Sequence, residues 1–159
     1  MMSQAGSTVK ELVTNAMLAS CRYLDDEDFD SWLKLWLESG IYEVETYTPE
    51  LRRKEILLRL EMPQMVRILQ GSSNQVRDGS VKTRVSTPPL VKCGISPETG
   101  AEASQRVVIY STNVRGESSL YALCTYDDNW THHKGEIKLA SRKVTLITRN
   151  FSIGTHVVL

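Results

Sequence analysis

Few side chains in this sequence are suited to metal chemistry, and those few are scattered. There are three histidines, and two of them, His132 and His133, are adjacent, so in extended backbone they point to opposite faces and do not readily share a metal. We interpret His132-His133-Lys134-Gly135 as a hairpin connection, so both histidines are predicted to be turn residues exposed to solvent. The sequence contains no Cys-x-x-Cys, no Gly-rich phosphate loop, no G-x-S-x-G and no H-E-x-x-H. We therefore predict no metal site and no cofactor site in this chain.

Acid–base chemistry would need a carboxylate, a histidine or a tyrosine inside the fold. Several tyrosines lie in segments that we predict to be strands: Tyr42, Tyr110, Tyr121 and Tyr126. Some of them must point inward, and we interpret them as core or rim residues whose hydroxyls find hydrogen-bond partners. Asp127 and Asp128 follow at a predicted strand end and are interpreted as turn residues. We therefore predict no catalytic residue either.

The densest group of carboxylates lies at the start of a predicted helix. Asp25, Asp26 and Asp28 fit the first turn of a helix, where backbone amides lack partners and negative charge is favoured. We interpret them as capping groups rather than as metal ligands. The apolar residues that follow have the i, i+3, i+4, i+7, i+8 spacing of one helix face: Phe29, Trp32, Leu33, Trp36 and Leu37. This pattern predicts a helix over about 26–39, ended by Gly40.

A first helix and a first strand flank that element. Thr8 and Glu11 form a capping-box pattern, and the apolar spacing after them predicts a helix that runs to about residue 24. From Ile41 the apolar period changes to two, which predicts a half-buried strand. Residues 49–62 stay ambiguous between a strand and a kinked helix.

Strand patterns dominate the second half of the sequence. Pro63 is predicted in the first turn of a short helix that ends near Gly71. Beyond it, β-branched and aromatic residues between turn signals predict further strands: Val107–Thr112, Ser119–Tyr126, Glu136–Ala140 and Lys143–Arg149. Helices at one end and a strand meander at the other predict an α+β fold, with N-terminal helices packed on a strongly curved, mainly antiparallel sheet. Such a sheet makes a cone.

Size, charge and cysteine usage exclude several classes of protein. The 159 residues fit one domain, 1–159, in which we predict residues 1–7 to be flexible. Nineteen basic and nineteen acidic residues cancel, so we expect no nucleic-acid partner and no anionic membrane partner. No apolar stretch approaches the roughly 20 residues that span a bilayer, and we find no signal-peptide pattern. Cys21, Cys93 and Cys124 are widely spaced, which favours reduced, mostly buried thiols and a cytoplasmic location.

Four stretches of the sequence carry a family resemblance. They are Leu24-Asp25-Asp26-x-x-Phe29-Asp30-x-Trp32-Leu33-x-Leu35, Met65–Leu69, Lys82-Thr83-Arg84 and Ile137–Leu146. They resemble, in order, the N-terminal signature, the short third helix, the Thr-Arg that opens a strand, and the penultimate hairpin of one family. That family is the small (beta) subunits of Rieske non-haem iron aromatic-ring-hydroxylating dioxygenases. The resemblance covers most of residues 8–158.

The resemblance implies a fold and a set of partners. The fold is the cone-shaped (NTF2-like, SnoaL-like) fold shared with nuclear transport factor 2, scytalone dehydratase and ketosteroid isomerase. In this family the large (alpha) subunit holds the Rieske [2Fe–2S] cluster and the mononuclear Fe(II), so the resemblance implies a small subunit without its own cofactor. The small subunits form a homotrimer that supports an α3β3 assembly, served indirectly by a reductase or ferredoxin.

One departure from the family bears on catalysis. Many relatives carry a His and an Asn where this sequence has Val85 and Pro89. That His position is close to the catalytic base of the cone-fold dehydratases, so its loss argues against independent catalysis.

The sequence therefore predicts the small subunit of a multicomponent aromatic-ring-hydroxylating oxygenase, with a structural role in the degradation of an aromatic compound. The alternative is a free-standing cone-fold lyase or isomerase acting on a hydrophobic metabolite, and a third reading is an interaction module without an enzyme partner. Strands Val107–Thr112 and Ser119–Tyr126 carry apolar residues at successive positions. We therefore expect an apolar outer sheet face that is buried against other subunits.

Overall fold

The described parts of the chain form three helices and one large sheet. The computed structural model describes residues 2–72, 79–94, 100–148 and 158–159. The helices in these ranges are α1 (Met2–Asp25), α2 (Phe29–Lys34) and α3 (Met62–Ser72). The strands are β1 (Trp36–Thr48), β2 (Arg53–Glu61), β3 (Val81–Ser86), β4 (Leu90–Cys93), β5 (Ala101–Thr112), β6 (Ser118–His133) and β7 (Glu136–Leu146). None of these helices has the length and apolarity that crossing a membrane requires.

The strands form a single curled sheet that does not close on itself. Their order is β2-β1-β7-β6-β5-β3, and β4 also pairs with β5. β1 and β7 run parallel, whereas the other pairs are antiparallel. α1 packs against β3, β4 and β5, while α2 and α3 pack against the β1–β2 side. The prediction of an α+β fold with N-terminal helices on a curved, mainly antiparallel sheet is confirmed.

The second helix is much shorter than the sequence predicts. α2 ends at Lys34 and β1 begins at Trp36, so the predicted helix over 26–39 is wrong. The chain leaves the helix because the Leu139 N–H of β7 donates to the Leu35 carbonyl at 2.7 Å, which draws this segment into the sheet. Gly40 lies inside β1 rather than at a helix end. A Cβ there would come within 2.6 Å of the Trp36 ring, so glycine permits the bulge between Trp36 and Ile41.

Two other predictions in the first half have different outcomes. α1 begins at Met2, so Thr8 lies inside the helix and is not the N-cap of a capping box. The ambiguous segment contains strand β2, and Pro63 lies in the first turn of α3, as predicted. A proline is tolerated there because the amide it lacks would have no partner in the first turn.

The strands of the second half are longer than predicted. β6 runs through Asp127 and Asp128, which are therefore not turn residues. The predicted strands Glu136–Ala140 and Lys143–Arg149 are one strand, β7, which ends at Leu146, and Arg149 lies outside the described residues. Pairing on both sides of a central strand outweighs the low strand propensity of aspartate.

The core lies between the inner face of the sheet and the helices. Its largest fully buried side chains include Trp32, Tyr42, Tyr126 and, unusually, Arg142. None of the three cysteines forms a disulfide; Cys21 and Cys124 are buried, whereas Cys93 is exposed. A fully buried arginine needs a partner, and this directs attention to the polar groups inside the cone.

Candidate functional site

Two arginine–aspartate pairs lie where the sequence predicts only apolar packing and tyrosines. The side chains of Arg142, Asp128 and Arg84 are buried, whereas that of Asp25 is 14% exposed. The first pair is Arg142 of β7 and Asp128 of β6. Its contacts are bidentate: Nε donates to Oδ1 at 2.8 Å and Nη2 donates to Oδ2 at 2.7 Å. Neither side chain is exposed. Burial alone would lower the pKa of Arg142, but the Asp128 carboxylate more than offsets this and raises it, so the guanidinium is charged.

The same guanidinium ties the sheet to both N-terminal helices. Arg142 Nη1 donates to Ser20 Oγ of α1 at 2.9 Å. Trp32 Nε1 of α2 donates to the same Ser20 oxygen at 3.0 Å. Because all these groups are buried, each bond replaces water that the folded chain excludes. One hydroxyl therefore joins α1, α2 and β7.

The second pair joins the end of α1 to strand β3. Arg84 Nη1 donates to Asp25 Oδ1 at 2.7 Å, and the Arg84 backbone N–H donates to Asp25 Oδ2 at 2.9 Å. Arg84 Nε donates to the Tyr126 hydroxyl at 3.3 Å. The Arg142 guanidinium lies 4.4 Å from the centre of the Tyr126 ring, a cation–π distance. The two ion pairs thus form one continuous, charge-balanced network through Tyr126.

The acidic cluster that the sequence assigns to capping divides among three roles. Asp28 is the N-cap of α2, since its carboxylate accepts from the Ser31 N–H at 3.1 Å. Hydrogen bonding to Ser31 holds the pKa of Asp28 below its ordinary value. Asp26 lies in an exposed pair with Arg22 at 3.5 Å. Asp25 is not a cap but the acidic partner of Arg84, so that part of the prediction is wrong.

Three of the four stretches that carry the family resemblance meet at this network. Asp25 and Trp32 come from the first stretch, Arg84 from the third and Arg142 from the fourth. The motif residues are therefore explained by one buried structure. Asp128 lies outside all four stretches, and its role follows only from its position opposite Arg142 in the β6–β7 register.

The buried tyrosine and cysteines around this network have low chemical reactivity. Burial raises the pKa of Tyr126 well above its ordinary value, so its hydroxyl is neutral. Burial also raises the pKa of Cys21 and raises that of Cys124 to about 12, so both thiols are protonated and weakly nucleophilic. The interior holds elements together and offers no free base or nucleophile among these groups.

The other sequence candidates do not converge on the network. Tyr42 is buried in the core, whereas Tyr110 is 40% exposed on the outer face. Tyr121 is half-buried, with Lys82 Nζ 4.4 Å from its ring centre. His132 and His133 are the last residues of β6 and pair with Ile137 and Glu136 of β7, so the prediction that they lie in the hairpin turn is wrong. Across the described parts of the chain, His, Cys, Asp and Glu form no group of three or more that could hold a metal.

The outer face of the sheet carries a second feature, the outer apolar band. It consists of Tyr47, Val85, Val108, Tyr110, Leu120, Leu123 and Ile147. Strand pairing places Val85 beside Val108 and Val108 beside Leu123, and the Ile147 N–H donates to the Leu123 carbonyl at 2.8 Å. Val85 thus faces away from the cone interior, so the argument from a lost catalytic base at this position does not hold. Five of the band's members are 40–56% exposed. A separate groove of about 450 Å³ is lined by Glu43, Lys54, Asp127 and Lys143, among others.

The sequence has two informative relatives. No protein-family model matches it. It is 31% identical over 152 residues to the beta subunit of 2-aminobenzenesulfonate 2,3-dioxygenase from Alcaligenes sp., covering 95% of this chain and 96% of the relative. It is 26% identical over 156 residues to the beta subunit of methanesulfonate monooxygenase hydroxylase from Methylosulfonomonas methylovora, covering 92% and 84%.

Solved structures share the fold at lower identity. A protein from Novosphingobium aromaticivorans, described as the beta subunit of an aromatic-ring-hydroxylating dioxygenase, superposes with a TM-score of 0.83 at 14% identity, covering 97% of this chain and 99% of that one. A protein from the same organism, described as a scytalone dehydratase, gives 0.66 at 15% identity, covering 92% and 89%. These likenesses confirm the cone fold. Given the identity and coverage of the Alcaligenes relative, the chain belongs to the family of beta subunits of ring-hydroxylating dioxygenases.

Proposed function

We propose that this chain is a non-catalytic small subunit that acts by assembling with the large (alpha) subunit of its oxygenase. The observation that carries the proposal is the 31% identity to a dioxygenase beta subunit over 95% of the chain. In this proposal the large subunit holds the Rieske [2Fe–2S] cluster and the mononuclear Fe(II), and a reductase or ferredoxin delivers electrons to it. None of this chain's residues is assigned a catalytic, cofactor or metal role.

The cone interior supports the non-catalytic role. In the described part of the interior, each buried guanidinium already contacts a carboxylate, and the buried thiols are protonated. An acid–base catalyst needs a group that can release or accept a proton near neutral pH. The saturated network of Arg84, Asp25, Arg142 and Asp128 instead favours a rigid body that presents its outer surfaces to partners.

Assembly through the outer apolar band is the second part of the proposal. The edges of the sheet are poor pairing surfaces. Edge strand β2 has a bulge at Leu57, and on edge strand β3 the Arg84 amide is taken by Asp25. Such features discourage edge-to-edge pairing, so a face contact is favoured, and exposed apolar patches of this kind mark interfaces. We infer a single domain that forms a cytoplasmic homotrimer within an α3β3 complex.

Val85→Lys should disrupt this assembly without unfolding the chain. Val85 is 56% exposed in the band, so the isolated fold tolerates a lysine, but a buried interface would have to desolvate its charge. We expect light scattering to show a loss of trimer, and of complex with the large subunit, of at least tenfold in association constant. Val114→Lys is the matched control, since Val114 is 77% exposed at the β5–β6 turn, outside the band. If Val85→Lys assembles as the wild type does, the outer apolar band is not part of the interface.

The relatives also suggest a substrate class. Both curated relatives belong to oxygenases named for sulfonates, one aromatic and one aliphatic. A small subunit retains the surfaces that fit its own large subunit, so the relatives that it matches indicate the kind of complex it joins. We infer that the large subunit partnered by this chain oxygenates a sulfonated compound.

Reconstitution tests the whole proposal. The chain is purified alone and with its cognate large subunit. Each preparation is assayed for iron and, with the reductase or ferredoxin and a reductant added, for oxygen uptake with 2-aminobenzenesulfonate and with aniline. We expect iron and activity only in the complex, with the sulfonate preferred by at least tenfold. Stoichiometric iron or turnover in the isolated chain would contradict the non-catalytic role. Equal rates on both compounds would contradict the sulfonate inference alone.

A further inference from the structure

Two residues near the end of the sequence lie inside the cone. Val158 is 6% exposed and Leu159 is 1% exposed. The Leu159 backbone N–H donates to the Tyr42 hydroxyl at 2.8 Å, and that hydroxyl lies 3.5 Å from the Leu159 carbonyl oxygen. Tyr42 belongs to strand β1, more than a hundred residues away (|i−j| = 117). A polar group of the sheet, the Tyr42 hydroxyl, therefore binds the backbone of the dipeptide.

The surroundings of this dipeptide have the character of a ligand site. Tyr42 packs edge-on against Trp32 at 6.4 Å and Trp36 at 6.3 Å between ring centres. Burial raises the pKa of Tyr42 far above its ordinary value, so the hydroxyl keeps its proton and can both donate and accept. An aromatic wall with one well-placed polar group is typical of sites for apolar ligands.

We propose that the cone interior is a binding site for a branched aliphatic dipeptide, and that Val158 and Leu159 fill it in cis. The ion-pair network beside it does not use these two residues, since Arg142 and Arg84 bond to Asp128, Ser20, Asp25 and Tyr126. The ion pairs therefore do not depend on contacts with the dipeptide. The site takes an aliphatic side chain together with a peptide N–H for Tyr42. This inference goes beyond the proposed subunit role and holds for the chain alone.

Full-length Leu159→Asp tests the proposal with acetyl-Val-Leu as the probe. A buried aspartate expels the dipeptide, so we expect the melting temperature to fall by about 10 °C. Millimolar acetyl-Val-Leu should then raise it again by several degrees and shift the tryptophan emission, whereas acetyl-Val-Asp should not. The wild type should not respond, because its own dipeptide is present at a high effective concentration. Tyr42→Phe, introduced into Leu159→Asp, should weaken peptide binding about threefold to tenfold.

The control is Leu12→Asp, since Leu12 is 46% exposed on α1. If Leu159→Asp melts like Leu12→Asp, the dipeptide does not occupy the cone and the proposal is overturned. If Leu159→Asp is destabilised but the peptide changes neither melting nor emission, the dipeptide is core packing only and the proposal is again overturned. Should Leu159→Asp fail to fold, Leu159→Ala takes its place in the same peptide comparison. The same two outcomes, no destabilisation or no response to the peptide, would then overturn the proposal.

Discussion

Asp128→Asn should lower the free energy of unfolding by about 3–5 kcal/mol, because it leaves a buried guanidinium without its counter-charge. Asparagine has nearly the same shape, so the loss is electrostatic rather than a packing defect. Arg142 cannot escape by losing its proton, since arginine stays charged in proteins. For a chain of this size such a change lowers the melting temperature by about 6–20 °C. Thermal unfolding followed by circular dichroism measures it.

A double replacement separates the two contributions of this ion pair. Asp128→Leu combined with Arg142→Met removes both charges, and we expect most of the stability to return, as it does when a buried pair is replaced by apolar residues of similar volume. Asp26→Asn is the surface control, because the Arg22–Asp26 pair is 79% and 62% exposed and should contribute almost nothing. A small effect of Asp128→Asn, similar to that control, would show that water reaches the pair and that the network is not closed.

Trp32→Ala should cost about 3–5 kcal/mol, the usual cost of emptying a buried aromatic site. Trp32 is fully buried, its ring meets Trp36 edge-on with centres 5.3 Å apart, and its N–H bonds to Ser20. Denaturant unfolding measures the loss. Trp32→Phe keeps much of the ring and loses the hydrogen bond, so it should cost clearly less than alanine. Equal costs for the two variants would mean that the hydrogen bond, not the packing, dominates.

The first 48 residues show how a correct apolar pattern can be given the wrong backbone. Trp32 and Trp36 are spaced for one helix face, and both are buried on the same side as predicted. The helix nevertheless ends between them, because β7 supplies hydrogen bonds from the far end of the sequence. Gly40 is equally suited to a helix end and to a bulge. The pairing of this segment with β7 decides between a helix end and a bulge, and the local sequence pattern does not predict that pairing.

The polar network shows the same limit for the site. Asp25 and Arg142 fall within stretches that the family resemblance singles out, yet their roles depend on partners distant in sequence. Asp128 was expected in a turn because aspartate is common there. Its burial follows from the β6–β7 register, which places it beside Arg142. The sequence therefore predicts the fold class, the family and the apolar outer strands. The ion pairs can be predicted only when the register of the paired strands is known.

The parallel pairing of β1 with β7 has a consequence for how the chain folds during synthesis. β1 is joined to the main body of the sheet through β7, and Thr145 of β7 bonds to Glu45 of β1 across 100 residues. Contacts between such distant segments form slowly, because a long loop must close first. The β1–β2 hairpin and its aromatic residues can therefore join the rest of the sheet only after β7 has left the ribosome. Until then their apolar faces are available to chaperones, to proteases and to other nascent copies.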